Sequence, residues 1–575
     1  MIRISKKIYL VLFCCFIASA GLSQDMESVS LDDWFKYKGG LNLNSTAYNA
    51  VGMTNRRDPF FWGIDANLNI TLFNIINVPL SAHYSKDNKT YSHPTYNYFG
   101  VSPSYKFITL HAGYRNMQFS NYSLSGLTFL GGGIEIAPED SWVKFSAMYG
   151  RFAKAVPYRA DTAYMPTANP FDVPGYERRG YGGKLTLGRE KHSIDLILFK
   201  AKDNVNSIPD PGEESGIKPM ENLIIGFSTR NKLTERISLQ TEYNLSAFSR
   251  DIRVAERKSE TFTYVNNVGN LFTPRYSSSV NSAYSMNLNY TGETFSAGIV
   301  YKHVDPEYRS LGTTYISNDL ENIYLNVKKS FFNNGLSVSG NIGQERNNLS
   351  NNLAATDKRV IGSVNCNISV FNPLNLNVSY SNFNVNTTPI ATTMQDTFKY
   401  VQVTENYAIN TTYQLSGEKL SHNFNLNAMV QTVNTLNQNA TIVTDLNTRI
   451  FNTSLGYNIF LNIPKVNITT ALNYNHFIPG GEMAETEGWG PTLGVNKSFL
   501  KSKLQTGLMY TYQENETKGT NVSQINIVRF NGSYKVTSHQ RIRLSVNIML
   551  RTNDNYEKII NQEEYNARLT YSYMF

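Results

Sequence analysis

A two-residue alternation of apolar and polar side chains recurs along most of this chain after Gly40. In NFNLNAMV (423–430) and VNITTALNYN (466–475) every second residue is apolar or Thr, and the residues between them are mostly Asn or Thr. In RIRLSVNIMLR (541–551) the apolar set alternates with Arg, Ser, Asn and Met. Successive side chains of a strand point to opposite faces, so period two predicts strands with one apolar and one wet face.

The connections between these segments alternate in length. Short turn signals occur at NIINVP (74–79), PEDS (138–141), EKHS (190–193), LTER (233–236), TGET (291–294), FNNG (332–335), NPLN (372–375), SGEK (416–419), NIPK (462–465) and KSKL (501–504). Longer polar segments lie between them, the largest at 157–177, 205–220, 251–277 and 385–402. A short–long rhythm is typical of outer-membrane barrels. We predict an all-β fold: a single large antiparallel transmembrane β-barrel of about 26 strands with both termini periplasmic.

The N-terminus has the pattern of a secretory signal peptide. MIRISKK is basic, IYLVLFCCFIASA (8–20) is apolar, and GLSQD is small and polar. The apolar run is too short for a spanning helix. We expect a cleaved signal peptide at 1–23, a short periplasmic segment at 24–39 and the outer-membrane barrel at 40–575.

The last strand, YNARLTYSYMF, also alternates. It resembles the C-terminal signal of bacterial outer-membrane proteins, which the assembly machinery of that membrane reads. The matching residues are Tyr565, Leu569, Tyr571, Tyr573 and Phe575. The resemblance implies two partners, the outer-membrane assembly machinery and outer-membrane lipid.

Several features together resemble an uncharacterised family of Bacteroidota outer-membrane β-barrel proteins, porin-like and not TonB-dependent. They are the many Asn and Tyr residues, a signal ending near LSQ, the terminal Tyr-x-Tyr-x-Phe, and HVDPEYRSLGTTYISNDLEN (303–322). The resemblance implies the fold and the outer membrane of a Gram-negative bacterium, but no activity. TonB-dependent transporters carry a plug domain before the first strand, and 24–39 leaves no room for one.

Three aromatic residues in this short segment allow two interpretations. Trp34, Phe35 and Tyr37 could anchor the chain at the periplasmic interface, where aromatic residues are enriched. They could also fold into the lumen.

The sequence gives little sign of catalysis. It has no His-Glu-x-x-His, Gly-x-Ser-x-Gly or phosphate-loop motif, and its eight histidines are dispersed. Only Cys366 remains after the signal, so we expect no cysteine metal site. Removing the signal's three cations from a net charge of +8 leaves +5, too scattered to indicate nucleic acid. We expect no enzyme activity, although an active site at the outer rim is an alternative, and no cofactor.

An acidic loop is a candidate extracellular site, formed by Asp305, Glu307, Arg309, Asp319 and Glu321. Carboxylates of this kind could hold calcium. Alternatively, Asp-Pro forms a turn and Arg309 pairs with a carboxylate, so that the group only orders the loop.

Two strand features are candidates for the lumen. Arg541, Arg543 and Arg551 form a basic stripe on one face, which either tunes solute selectivity or pairs with acids on neighbouring strands. In LGGGIEI (130–136), three glycines mark a place where a bulky neighbour or an inward loop packs closely, or where a ligand approaches the backbone.

A barrel of this size encloses a wide lumen, which inward loops or a partner must narrow. The segments 157–177, with PTANPF, and 251–277, with Tyr264, Phe272 and Tyr276, are the candidates for the constriction. We expect a passive or partner-gated channel for solutes. The alternative is a structural anchor or secretion-associated barrel whose partner is a surface or periplasmic protein.

Overall fold

The fold consists almost entirely of β-strands. The computed structural model describes residues 34–85, 97–158, 174–257, 271–353, 355–369, 373–389, 400–437, 447–481, 483–518, 521–554 and 559–575. The first fifteen strands are β1 Phe35–Val51, β2 Phe60–Leu72, β3 Ile76–Ser85, β4 Tyr98–Val101, β5 Ser104–Tyr105, β6 Ile108–Asn116, β7 Leu124–Ser125, β8 Thr128–Ile136, β9 Val143–Ala153, β10 Glu177–Arg189, β11 His192–Asn204, β12 Glu221–Lys232, β13 Ile237–Ser249, β14 Ser278–Thr291 and β15 Phe295–Val304. The others are β16 Gly312–Thr313, β17 Leu320–Phe331, β18 Leu336–Arg346, β19 Ala355–Ile368, β20 Leu374–Pro389, β21 Tyr400–Ser416, β22 Leu420–Asn437, β23 Thr448–Leu461, β24 Val466–Ile478, β25 Thr486–Phe499, β26 Leu504–Thr517, β27 Asn521–Lys535, β28 Gln540–Asp554 and β29 Ile559–Met574. Two 3₁₀ turns, Val205–Ser207 and Glu213–Ser215, follow β11.

The strands form a closed barrel in which each wall strand pairs antiparallel with the next. One sheet contains 27 of the strands, and β1 pairs with β29 to close it. Both β4 and β5 pair with β3 on one side and β6 on the other, so they are two halves of one wall strand. Counting them once gives 26 wall strands. The predicted fold class and strand number are confirmed, and the closed sheet leaves no edge unpaired.

The predicted rhythm of connections is also present. All ten predicted short signals fall at hairpins on one end of the barrel, which we call the turn end, although residue 372 lies outside the described residues. The N-terminus of β1 and the C-terminus of β29 are at this end. The opposite, loop end carries the long connections. Around 385–402 the strands extend further than expected, because β20 continues to Pro389 and β21 begins at Tyr400.

The two faces of the wall differ as the alternation predicts. The outer face carries exposed apolar side chains around the barrel, among them Leu455, Leu472, Leu493, Leu508, Leu544 and Leu569. Residues between these positions are mostly Asn, Ser, Thr and Gln and face the interior. No helix in the described part of the chain is long and apolar enough to cross a membrane.

Aromatic side chains cluster where the barrel closes at the turn end. β1 begins at Phe35, earlier than the predicted start of the barrel at 40, because Phe35 and Tyr37 continue its outward-facing set. The Tyr37 ring lies 5.7 Å from that of Phe575, and the Trp34 ring lies 6.3 Å from that of Phe73. All of these lie on the outer face, which favours the interface interpretation over a place in the lumen.

The interior is filled on one side and open on the other. Every buried hydrophobic residue among those described, apart from Tyr48, lies between Met117 and Leu311. In the described residues, strands β18 to β29 contribute none. Half of the barrel therefore has a packed inner core, and the other half has a polar inner wall open to solvent.

Candidate functional site

Two connections from the loop end fold back into the barrel. We call residues 117–127 inner segment A and residues 305–319 inner segment B. They contain β7 and β16, which pair with each other in parallel. The Ser310 hydroxyl also donates to the Ser123 carbonyl oxygen at 2.5 Å. The two segments therefore form one unit inside the lumen.

Inner segment A lies on strands whose inward positions are glycine. A Cβ atom on Gly133 would come within 2.5 Å of the Met117 sulfur, and one on Gly182 within 2.9 Å of the Phe119 ring. Met117 and Phe119 are both buried. Gly133 of LGGGIEI thus lies where an inward segment packs closely, as one of the two interpretations predicted.

A buried carboxylate fixes inner segment A at mid-height. Glu242, the sixth of thirteen residues in β13, faces inward. Its oxygens accept from the Tyr122 backbone N–H at 3.3 Å, from the Asn121 amide at 3.2 Å and from the Asn244 amide at 2.9 Å. The carboxylate thereby satisfies two buried donors, the Tyr122 N–H and the Asn244 amide, which would otherwise have no partner.

Inner segment B is held by the same part of the wall. Its Leu311 N–H donates to the Asn222 side chain at 3.1 Å, and the Ser246 hydroxyl donates to the Arg309 carbonyl oxygen at 2.6 Å. Tyr308 is 1% exposed and donates its hydroxyl to the Tyr122 carbonyl oxygen at 2.9 Å. Segment B is therefore fixed to the wall and to segment A by buried contacts.

Burial changes the acidity of two phenols in the inner segments. It raises the pKa of Tyr122 to about 12, and the nearby charge of Glu242 adds to the effect. Burial also raises the pKa of Tyr308 well above its usual value. Both phenols are therefore neutral at physiological pH.

The constriction is built from different segments than the length of the loops suggested. In 251–277, Phe272 packs against Leu223 and Ala247, which share the outward face with Tyr243. Tyr276 is 67% exposed, while Tyr264 and PTANPF (166–171) lie outside the described residues. The expectation for 251–277 is wrong for the residues described, because loop length does not determine the direction in which a loop folds. The shorter inner segments A and B supply the inward contacts.

The acidic loop residues are held by contacts within the protein, and His303 lies between two of them, 3.0 Å from Asp305 and 3.8 Å from Glu321. The Asp305 carboxylate accepts from the Ser282 N–H at 2.6 Å and hydroxyl at 2.7 Å, and Asp319 accepts from the Leu349 N–H at 2.8 Å. Further contacts join Glu307 with Arg250, Glu321 with Arg346, and the Arg309 guanidinium with the face of the Phe248 ring. Within the described residues no group of three or more acidic, His or Cys side chains could hold a metal ion. These contacts favour loop ordering over calcium binding.

The basic stripe lies on the open side of the lumen. Arg541, Arg543 and Arg551 occupy alternate positions of β28 opposite the outward Ile542, Leu544 and Leu550. None of the three forms an ion pair with any described residue. Arg551 instead donates to the Ser523 hydroxyl at 3.1 Å and the Asn553 side chain at 2.9 Å. Among the described residues, no acid on a neighbouring strand neutralises these three arginines, so the geometry does not support that alternative.

A polar recess of about 1010 Å³ lies along the same wall. Its lining includes Asn42, Asn44, Asp65, Asn67, Asn467, Asn496, Gln505, Asn531, Arg543, Arg568 and Thr570. The Asp65 carboxylate accepts from the Asn44 amide at 3.0 Å and lies 2.5 Å from His83 Nδ1. The acid is therefore occupied by its own neighbours, whereas the two guanidiniums have no carboxylate partner among the described residues.

A hydrogen bond of His111 on the inner wall, with a carboxylate nearby, had no signal in the sequence. His111 Nδ1 lies 2.9 Å from the Ser102 hydroxyl, and His111 Nε2 lies 3.6 Å from a Glu135 oxygen. Ser102 lies between β4 and β5, His111 on β6 and Glu135 on β8, so their spacing in the chain does not reveal the contact. The longer distance is beyond an ordinary hydrogen bond, and the arrangement matches that of an inner-wall polar network.

Comparisons with known proteins give distant structural likenesses only. Neither a protein-family model nor a curated protein sequence matches this chain. The FrpB iron transporter from Neisseria meningitidis aligns at 10% identity over 94% of this chain and 82% of its own, with a TM-score of 0.38. OpdK from Pseudomonas aeruginosa, solved with vanillate, aligns at 11% identity over 95% and 99% of the two chains, with a TM-score of 0.28. The copper transporter OprC aligns at 9% identity over 96% and 82%, with a TM-score of 0.33. Likeness at this level does not identify a solute for this chain.

Proposed function

We propose that this protein is an outer-membrane channel through which small hydrophilic solutes diffuse passively. The observation that carries the proposal is the division of the barrel interior. Inner segments A and B fill the side lined by β8 to β15, while the side lined by β18 to β29 keeps a polar inner wall and no buried hydrophobic residue among those described. An aqueous path beside a fixed constriction is the arrangement that a diffusion channel requires.

The outer surface supports the membrane location. A continuous set of exposed apolar side chains faces outward, and a closed sheet satisfies the backbone polar groups that lipid cannot. The basic, apolar and small-residue pattern of the N-terminus indicates export. In this orientation the turn end faces the periplasm and the loop end faces the outside.

The fixed nature of the constriction supports passive diffusion. Inner segment A is bound through Glu242, and inner segment B through Asn222 and Ser246. These are buried contacts, which are costly to break. A constriction held in this way narrows the lumen without closing it.

Single-channel conductance of the refolded protein in a planar bilayer tests this proposal. We expect steady conductance steps of ordinary porin size. Silence from a barrel that is folded by circular dichroism would overturn the diffusion channel.

A second function rests on a different observation. Tyr276 is 67% exposed at the loop end, as an anchor for a surface protein would require. In that case the barrel conducts poorly, and a stable partner co-purifies from native membranes. A conducting barrel without a stoichiometric partner would exclude this function.

A further inference from the structure

The strand register places basic side chains at nearly every level of one inner wall. On β28 the inward positions are 541, 543, 545, 547, 549 and 551. Arg541 pairs with Lys535 of β27, Ser545 pairs with Arg568 of β29, and Asn547 pairs with Arg529 of β27. Where β28 itself has a neutral residue at 545 or 547, a neighbouring strand therefore supplies the cation.

This arrangement forms a ladder along the height of the barrel. We call Arg529, Lys535, Arg541, Arg543, Arg551 and Arg568 the basic ladder. Successive inward positions are about 6.8 Å apart, so it extends over roughly 34 Å from the turn end toward the loop end. Between Arg541 and Arg551 the level without a cation is that of Met549, which pairs with Glu564.

The ladder is uncompensated in the part of the chain that the structure describes. None of its six side chains forms an ion pair with a described residue, and the hydrogen-bond partners of Arg551 and Arg568 are neutral. By contrast, the inward Arg359 on β19 donates to Glu345 at 3.2 Å, and the inward Arg178 pairs with Asp203 at 2.8 Å. These two inward arginines are neutralised by neighbouring acids, unlike the members of the ladder.

We propose that the basic ladder makes the channel anion-selective and that its solutes are small anions carrying carboxylate or phosphate groups. This inference rests on the proposed diffusion channel. Guanidinium groups bind both of these groups through paired hydrogen bonds, and a row of them offers a moving anion a new partner at each step. In the recess lined by Arg543 and Arg568 both guanidiniums are available to an anion, since the lining carboxylate Asp65 is held by Asn44 and His83.

The test is the reversal potential of the refolded barrel across a KCl gradient, at no more than about 0.1 M because higher salt screens the ladder. We expect the wild type to favour chloride over potassium, and inorganic phosphate to reduce the chloride current. In Arg543→Gln/Arg568→Gln the permeability ratio should fall at least twofold. The matched control is Lys329→Gln/Lys358→Gln, which removes two outward cations: Lys329 lies over Phe331, and Lys358 is exposed on the outward face of β19 with Val360. The control should keep the wild-type ratio.

A charge-preserving variant separates selectivity from folding. Arg543→Lys/Arg568→Lys should conduct with the wild-type preference for chloride, with weaker block by phosphate because lysine lacks the paired geometry. A conducting wild type that shows no preference, or prefers potassium, would overturn the inference and leave the channel intact. A wild type that does not conduct would instead overturn the proposed function.

Discussion

The carbonyl oxygen of Ser123 lies 2.5 Å from the point at which a Cβ atom on Gly312 would stand. The same point is 2.6 Å from the Phe199 ring, which projects inward from β11. Inner segments A and B thus meet each other and the wall at one place, and only a glycine fits between them.

Replacement of this glycine should loosen the constriction. In Gly312→Val the new side chain would clash with a backbone oxygen and a buried ring, and we expect a loss of about 1–3 kcal/mol in the stability of the inner segments. Thermal unfolding and single-channel conductance measure the effect, and conductance should rise. The control is Gly362→Val, where the nearest atom to the added Cβ is 3.9 Å away. Equal behaviour of the two variants would contradict the close packing.

Removal of the buried carboxylate should release inner segment A. In Glu242→Ala the Tyr122 N–H and two side-chain amides lose their acceptor, at a cost of about 1–3 kcal/mol. We expect inner segment A to become sensitive to proteases in the folded barrel. Glu235→Ala is the control, because Glu235 lies in an exposed turn where pairs with lysine contribute little. A segment that stays resistant in Glu242→Ala would show that the hydrophobic contacts alone hold it.

Strongly alkaline solution should open the constriction. The pKa of Tyr122 is raised by burial to about 12, from an ordinary value of 10. Because this pKa is higher in the folded than in the unfolded state, the protonated Tyr122 stabilises the folded inner segments. This contribution is complete below pH 10 and is lost as the pH rises toward 12. Conductance measured between pH 9 and 12 should increase in the wild type. In Tyr122→Phe, which keeps the ring and loses the proton, the increase should move to higher pH, and an unchanged profile would exclude Tyr122 as the titrating group.

The terminal aromatic residue should matter for closure of the barrel. Phe575 exchanges backbone hydrogen bonds with Gly39 at 3.0 and 3.1 Å, and its ring contacts Tyr37. In Phe575→Ala we expect a lower folded yield and a loss of about 1–2 kcal/mol from the buried part of the ring. Met574→Ala is the control, since Met574 is 53% exposed. Equal yields of the two variants would speak against a role of Phe575 in closure. Recognition of this strand by the assembly machinery remains a prediction.

The two-residue alternation and the turn signals were sufficient to predict the architecture of the barrel. A strand side chain's face depends only on whether its position is odd or even, so Arg541, Arg543 and Arg551 must share a face once β28 is recognised. The turns at one end follow from local backbone chemistry, which also lies in the sequence. Strand number, connectivity and the inward face of the stripe were therefore predictable without tertiary information.

The contents of the lumen were not predictable in the same way. Met117 meets Gly133, and Tyr122 meets Glu242, through contacts between residues far apart in the chain or on different strands. Such contacts depend on how the side chains fit together in shape and on buried hydrogen bonds, and no short sequence pattern encodes either.

The sequence by itself determined a large barrel, its orientation of faces and one row of arginines, because these depend on local periodicity. The tertiary structure alone decided which segments fill the lumen and which half stays open. It also decided that Lys535, Arg529 and Arg568 complete the row on β28. The physical reason is that these residues become neighbours only through the register in which β27, β28 and β29 pair. A shift of one residue would turn these side chains to the outer face.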